Sequence, residues 1–209
     1  MSEGLYVHYG CGLCAPEGWL NFDASPTLHL QRLPLIGGLA RRWVKPKFPL
    51  SVQFGDIVKG LPVQPESCDG VYCSHVLEHL ALADFRAAIR NSFVYVRKGG
   101  SFRLVVPDLR LMANEYLASH DPSAAEVFVR NTRLGLQARP RGIGGRMRQL
   151  LGNDQHLWMW DCMGLEKELL NVGFCQIRLA KYGDSGDAMF EAVEDPARWQ
   201  RAVGIQCSK

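Results

Sequence analysis

The chain has 209 residues, a size that fits one domain. Hydrophobic residues make up 47% and charged residues 22%, which excludes a disordered chain, a collagen and a coiled coil. No window approaches about 18 consecutive apolar residues, and no signal peptide is visible at the start, so we expect neither a spanning helix nor secretion. Seven scattered cysteines are then reduced thiols of a cytoplasmic protein.

Acidic residues are missing from two long stretches. Residues 24–55 contain five basic residues and no acid, and residues 127–153 contain six arginines and no acid. Because the net charge is +3, the rest of the chain carries −8. This asymmetry predicts two cationic segments on an acidic body, with plain solvated surface as the alternative.

Short apolar segments that end in glycine or in an acid predict strands. The predicted strands cover residues 5–9, 19–23, 51–54, 69–73 and 101–106, followed by a hairpin of residues 175–181 and 188–194. Helical periodicity predicts helices over residues 85–96, 109–119 and 164–171. Two insertions, at about residues 24–50 and 121–155, are predicted to be broken or partly helical.

This alternation predicts an α/β fold, a Rossmann-like three-layer sandwich built by one domain over residues 1–209. The seven predicted strands form a mostly parallel sheet. One strand near the edge is antiparallel, because a tight turn cannot join two parallel strands.

Glycines or acids follow the first three predicted strands, at the edge where ligands bind in such sheets. Gly10 and Gly12 let the backbone approach a ligand closely. Asp23 can accept hydrogen bonds from two ribose hydroxyls, and Asp56 can accept from an exocyclic amine beside Ile57, which can cover an adenine ring. Together they describe a nucleoside site. Taken singly, an acid that ends a strand is more often a cap or turn residue.

The motifs GCG, NFD, FGDI, CDGVYCSHVLEHL and RKGGSFRLVVPD follow one another in this order. As a set they resemble class I S-adenosylmethionine-dependent methyltransferases, and they are most similar to bacterial methyltransferases of the type 11-like group. The resemblance covers about residues 5–110, and HLWMWD at residues 156–161 also resembles that group. It implies S-adenosylmethionine as the cofactor.

The resemblance also assigns binding roles. Gly10, Cys11 and Gly12 would line the amino-acid part of the cofactor, with Asp23 on the ribose and Asp56 on the adenine amine. Ser74 and His75 would lie under the methionine portion and the transferable methyl. The six residues between Gly12 and Trp19 are too few for the helix usual at this point, so the first insertion is the expected cover of the site.

Three residues are candidate catalytic groups: His75, His156 and Asp161. His75 directly follows a strand, and Glu78 and His79 lie three and four residues beyond it, so all three can share one helical face. For Glu78 and His79 we favour a polar cluster that orients the loop over a catalytic role. His156 and Asp161 are candidate bases in an acceptor pocket, or part of a packed core edge.

No metal site is expected. Cys11 and Cys14 form a C-x-x-C pair, but two further ligands are missing from the local sequence. A nicotinamide-dependent oxidoreductase is the weaker reading, because GCGLCAPEG lacks the third glycine of the dinucleotide fingerprint.

The expected activity is methyl transfer to an anionic small-molecule, glycan or lipid-linked acceptor, with a nucleotide sugar or envelope glycan precursor as the leading candidate. The alternative is a non-catalytic S-adenosylmethionine-binding or envelope-associated interaction protein. Residues 28–45 interleave apolar and basic residues, which indicates peripheral membrane contact. A homodimer is a further candidate assembly, whereas no RNA-binding module or aromatic stacking pattern points to nucleic acid.

Overall fold

Seven strands form a sheet in the computed structural model, which describes residues 4–35, 37–136, 138, 142 and 155–209. Along the sheet the order is β3-β2-β1-β4-β5-β7-β6. The strands are β1 (Leu5–Tyr9), β2 (Trp19–Asp23), β3 (Gln53–Phe54), β4 (Cys68–Ser74), β5 (Val96–Pro107), β6 (Cys175–Ala180) and β7 (Ala202–Ser208).

Helices cover the faces of this sheet and also build the first insertion. The α-helices are α1 (Pro26–Arg32), α2 (Gly37–Trp43), α3 (Leu82–Tyr95), α4 (Leu109–Ala118), α5 (Ala124–Asn131) and α6 (Cys162–Val172). Three 3₁₀ helices span Leu77–His79, Ala188–Ala192 and Pro196–Trp199. Within the described residues, no helix combines the length and the apolar character needed to cross a membrane.

The strand directions confirm the expected fold class. β1, β2, β3, β4 and β5 pair in parallel, and β7 runs antiparallel to both β5 and β6. β4 and the second half of β5, residues 102–107, are almost fully buried, as in other parallel sheets covered by helices on both faces.

The predicted last strand was wrong. Residues 188–194 are mostly a 3₁₀ helix, because the carboxylate of Asp187 accepts a hydrogen bond from Met189 N at 2.9 Å and starts a turn there. Phe190 is buried by this turn against Trp19. The strand that pairs with β6 is instead Ala202–Ser208, so residues 175–181 and 188–194 do not form a hairpin.

The first insertion folds back on the turn that follows β1. Ser25 caps α1 by accepting a hydrogen bond from Leu28 N. Leu28 then packs with Phe48, Val52 and Cys11 in a small buried cluster. No helix forms between β1 and β2, as expected from the short connection, and the insertion lies beside the turn instead.

A buried arginine anchors the C-terminal segment to the sheet. Arg103 on β5 is fully buried and donates to Glu194, to Asp184 at 3.0 Å and to the carbonyl of Lys181 at 2.6 Å. The face of Trp199 lies 4.7 Å from its guanidinium carbon. A buried charge is tolerated only when it is paired and hydrogen-bonded, so residues 181–199 are held in one position over the sheet.

A buried histidine makes stability depend on pH. His8 on β1 is 3% exposed, and burial, together with the positive charge of Arg198, lowers the pKa of His8 from 6.5 to about 3. Below pH 6.5 the unfolded chain takes up a proton that the folded chain does not. Stability is therefore complete above this pH and falls as the pH drops towards 3.

We expect the unfolding free energy of the wild type to fall relative to His8→Gln by about 1.4 kcal/mol per pH unit below pH 6.5. Urea unfolding of both proteins at several pH values between neutrality and mild acid measures this difference. Parallel curves for the two proteins would show that His8 titrates in the folded state as it does in the unfolded chain.

Candidate functional site

The turn after β1 contains two glycines in the left-handed region, Gly10 at φ 63° and Gly12 at φ 57°. A Cβ on Gly10 would lie 2.1 Å from a methyl carbon of Val76, so this position has no room for a side chain. A Cβ on Gly12 would meet no described atom within 4 Å, so its surroundings are open. The turn therefore offers bare backbone to a ligand on the Gly12 side.

Asp23 ties this turn to the ends of two further strands. Its Oδ2 accepts a hydrogen bond from Gly12 N at 2.9 Å, and its Oδ1 accepts one from Ser25 N at 2.8 Å. Gly55 N, just after β3, donates to the carbonyl of Asp23 at 3.1 Å. A carboxylate oxygen can accept more than one hydrogen bond, so the turn role and a ligand-binding role are compatible.

Asp56 and Ile57 follow β3 but have different environments. Asp56 accepts a hydrogen bond from Val58 N at 3.0 Å, and its other oxygen lies 3.3 Å from Lys59 Nζ. Ile57 is 5% exposed and belongs to the main hydrophobic core. The carboxylate of Asp56 is partly open to solvent, whereas the predicted contact of Ile57 with an adenine ring stays a prediction.

Ser74 and His75 end β4 beside the same edge. Ser74 Oγ is buried and has no hydrogen-bond partner in the described part of the chain. His75 adopts φ 54°, a left-handed conformation that is uncommon outside glycine and is often found at functional positions. Its backbone N donates to the carbonyl of Val105 at 2.9 Å, and its Nε2 donates to the carbonyl of Arg198 at 2.8 Å.

Arg198 is a residue that sequence reasoning missed. It donates from Nη1 to the carbonyl of Ser74 at 2.9 Å, while its own carbonyl receives the ring of His75. No motif marks it, because it reaches β4 only through the folding of the C-terminal segment. Arg198 therefore fixes the geometry at the end of β4 without belonging to any recognisable pattern.

Four polar side chains meet just beyond β4: His75, Glu78, His79 and His156. Glu78 is fully buried, with His75 Nδ1 3.2 Å and His79 Nε2 3.9 Å from its Oε1. The rings of His79 and His156 lie edge to face with centroids 4.9 Å apart. The structure thus brings together two of the three candidate catalytic residues, His75 and His156. Glu78 and His79, which were predicted to form a polar cluster, lie between them.

The two candidate histidines have opposite pKa shifts. Burial alone would lower the pKa of His75, but the Glu78 carboxylate and the carbonyl of Arg198 outweigh burial and raise it. Burial lowers the pKa of His156, so this ring is neutral at neutral pH. Both ring nitrogens of His75 face acceptor oxygens, so in this arrangement His75 has no free lone pair directed at a substrate.

Asp161, the third candidate, caps a helix. Its Oδ1 accepts a hydrogen bond from Gly164 N at 2.8 Å at the start of α6, and its Oδ2 lies 3.4 Å from Arg110 Nη2. Asp108 and Trp160 form a β-bridge that places this segment at the end of β5. A role for Asp161 as a base stays a prediction.

The basic residues of the first insertion fall into two groups. Arg32 donates to the carbonyls of Pro49 and Val52, and Arg41 donates to the carbonyl of Phe48, so both stabilise the insertion itself. A second group is exposed and makes no ion pair or side-chain hydrogen bond with the described residues: Arg42, Lys45 and Lys47. In the second basic stretch, Arg139, Arg141, Arg146 and Arg148 lie outside the described residues.

Comparison with known proteins agrees with this geometry. Residues 9–104 match a family model described as a methyltransferase domain. No curated protein matches the sequence.

Solved methyltransferase structures share the fold over nearly the whole chain. An S-adenosylmethionine-dependent methyltransferase from Archaeoglobus fulgidus is 16% identical, with a TM-score of 0.52 over 99% of this chain and 86% of that one. One from Thermotoga maritima is 13% identical, with a TM-score of 0.52 over 100% and 84% of the two chains. Human N-acetylserotonin methyltransferase in complex with S-adenosylmethionine is 13% identical, with a TM-score of 0.50 over 99% and 47%.

At these identities the structural likeness establishes the fold alone, and the family match spans 96 of the 209 residues. The match covers the glycine turn, Asp23, Asp56 and the end of β4. The chain thus has a fold shared with solved S-adenosylmethionine-dependent methyltransferases, and its residues 9–104 are similar to a methyltransferase domain.

Proposed function

We propose that S-adenosylmethionine binds along the carboxyl ends of β1, β2, β3 and β4. The open space at Gly12 and the buried, unpartnered hydroxyl of Ser74 support this placement. So does the carboxylate of Asp23, which faces the turn and retains acceptor capacity. The residues present thus fit the cofactor, and the pairing of Asp23 with Gly12 is the observation that carries the proposal.

Each residue of this site has one task in binding. Asp23 accepts hydrogen bonds from the ribose hydroxyls, and Asp56 accepts one from the adenine amine. The backbone of Gly10, Cys11 and Gly12 lines the amino-acid part. When bound, S-adenosylmethionine supplies a methyl group already activated by its sulfonium, so the chain contributes mainly position, which is worth about 7–11 kcal/mol in well-oriented reactions.

His75 is proposed as a positioning residue at the methyl group. Its ring is held between the Glu78 carboxylate and the carbonyl of Arg198, and its left-handed backbone is anchored to Val105. A group fixed at three points can shape the wall against which an acceptor lies. The ring acts there by shape and charge, since both of its nitrogens face acceptor oxygens of the chain rather than a substrate.

The acceptor is proposed to be anionic: a phosphorylated compound, an acidic sugar or a lipid-linked glycan precursor. The first insertion follows β2, whose end carries Asp23, and it packs against Cys11 of the glycine turn, so the insertion adjoins the proposed cofactor site. Here Arg42, Lys45 and Lys47 surround Trp43, which is 76% exposed. Exposed tryptophan beside cations is typical of contact with an anionic membrane surface, and this supports peripheral contact through residues 28–45.

Asp23→Ala is expected to weaken binding of S-adenosylhomocysteine by about 10- to 150-fold, because a hydrogen bond to a charged group contributes about 1.5–3 kcal/mol. Isothermal titration calorimetry measures the affinity. Asp108→Ala is the matched control, because Asp108 directly follows a strand and accepts backbone hydrogen bonds from Arg110 and Leu111. Equal affinity of wild type and Asp23→Ala would remove the ribose assignment.

His75→Ala is expected to lower the rate of methyl transfer by more than about tenfold while changing the affinity for S-adenosylhomocysteine by less than about threefold, since its proposed place is at the methyl group, which S-adenosylhomocysteine lacks. Transfer is followed from methyl-labelled S-adenosylmethionine into anionic metabolite and lipid fractions. A His75→Ala variant that transfers methyl groups at the wild-type rate would show that this residue has only a structural role.

Replacing Arg42, Lys45 and Lys47 by glutamine is expected to weaken binding to vesicles that contain phosphatidylglycerol by about 100-fold, at about 1 kcal/mol for each cation near the surface. Vesicle sedimentation at several salt concentrations measures this. The control replaces three exposed cations elsewhere, Arg90, Lys98 and Lys167. Equal losses in the two triple variants, or no binding by the wild type, would contradict membrane contact through this segment.

A further inference from the structure

The carboxylate of Glu78 is buried, and two histidine rings approach it, with Nδ1 of His75 at 3.2 Å and Nε2 of His79 at 3.9 Å. Its residue is fully buried just beyond β4, and neither oxygen accepts a well-formed hydrogen bond from the described residues. Burial of a carboxylate that has no partner costs several kcal/mol. The charge of Glu78 therefore has to be balanced by a nearby cation, which is either a protonated His75 ring or a metal ion.

The tautomer of His79 directs a lone pair at this carboxylate. Its Nδ1 lies 3.0 Å from the carbonyl of Gln155, and because a carbonyl can only accept, Nδ1 carries the hydrogen. In the neutral ring Nε2 is then unprotonated, and it lies 3.9 Å from Oε1 of Glu78. A hydrogen bond from one ring nitrogen to a backbone carbonyl is the usual support of a metal-binding histidine.

His156 completes a set of three donors. The ligand atoms of Glu78, His79 and His156 all lie within 4.8 Å of one another. Burial keeps His156 largely away from solvent, and its Nδ1 contacts Met159 Sδ at 3.3 Å.

Backbone hydrogen bonds hold the two contributing segments together. Leu157 N and Trp158 N both donate to the carbonyl of Glu78, at 2.8 and 3.1 Å. These backbone contacts and the His79–Gln155 hydrogen bond together bring the three donors to one place.

We propose that Glu78, His79 and His156 bind one divalent transition-metal ion of the zinc, iron or manganese type. Two imidazoles and one carboxylate suit these ions, and three protein ligands leave a position open for water or another oxygen ligand. Metal–ligand bonds of about 2.0–2.2 Å require donors about 3.4 Å apart in a tetrahedral site, so the three side chains close slightly around the ion.

A protonated His75 is the competing explanation for how the charge of Glu78 is balanced. Its Nδ1 lies 3.2 Å from Oε1 of Glu78, so a second proton on this ring would also neutralise the carboxylate. That arrangement gives the lone pair of His79 no hydrogen-bond donor among the described residues, whereas a metal ion satisfies both groups. The site also differs from the C-x-x-C pair, whose Cys11 packs in the small cluster of the first insertion.

The test is a titration of the chelator-treated full chain with Co²⁺, followed by visible absorption. We expect one ion per chain, with ligand-field bands and no thiolate-to-cobalt charge-transfer absorption, and we expect Zn²⁺ to displace it. The wild-type spectrum alone identifies the donor type, even where a variant fails to fold. The proposal is overturned if the wild type does not bind Co²⁺ stoichiometrically, or if its spectrum shows thiolate ligands.

Variants then identify the ligands. Glu78→Gln and His156→Gln are each expected to weaken Co²⁺ binding by at least about 100-fold, while His75→Ala, Cys14→Ser and the exposed control His120→Gln retain it within about threefold. Unchanged binding in folded Glu78→Gln overturns the assignment, as does loss of binding in Cys14→Ser. S-adenosylhomocysteine binding to the metal-free chain is measured in parallel, so a failure here is distinguished from failure of the proposed cofactor site.

Discussion

The parallel pairing of β1 with β2 on one side and β4 on the other is the constraint on which the site depends. Tyr9 lies opposite Phe22, and His8 lies opposite Tyr72, so the three strands end at the same edge. The chain runs outwards from β1 through β2 to β3 and then returns to place β4 on the other side of β1. The loops that follow β1 and β4 therefore lead away in opposite directions and leave room for a ligand between them. Residues far apart in sequence thus meet without any local motif that joins them.

Buried polar groups then hold the parts around this edge. Arg103 fixes the C-terminal segment, and through it Arg198 reaches the carbonyl of Ser74. Asp23 connects the glycine turn to the first insertion, and Glu78 connects β4 to the segment that follows residue 155. Each of these groups would be costly if left unpaired, so they specify one arrangement of loops that the apolar core alone would leave free.

Sequence reasoning was most accurate where a local signal decides the structure. β1 and β2 were predicted with their observed bounds, because each is a short apolar run that ends at a glycine or an acid. The last strand was misplaced because residues 188–194 are a short, mostly apolar run, whereas the Asp187 carboxylate caps a 3₁₀ turn at this point.

The cofactor residues near Gly12 and Asp23 could be named from motif order. The meeting of Glu78 with His156 could not, because the two lie far apart along the chain and are joined by backbone hydrogen bonds that no sequence pattern records.

The most direct test of the account is a crystal structure with S-adenosylhomocysteine. The account predicts ribose hydroxyls on Asp23, the adenine amine on Asp56 and the sulfur beside His75, whereas a ligand bound away from the ends of β1 and β2 would contradict it.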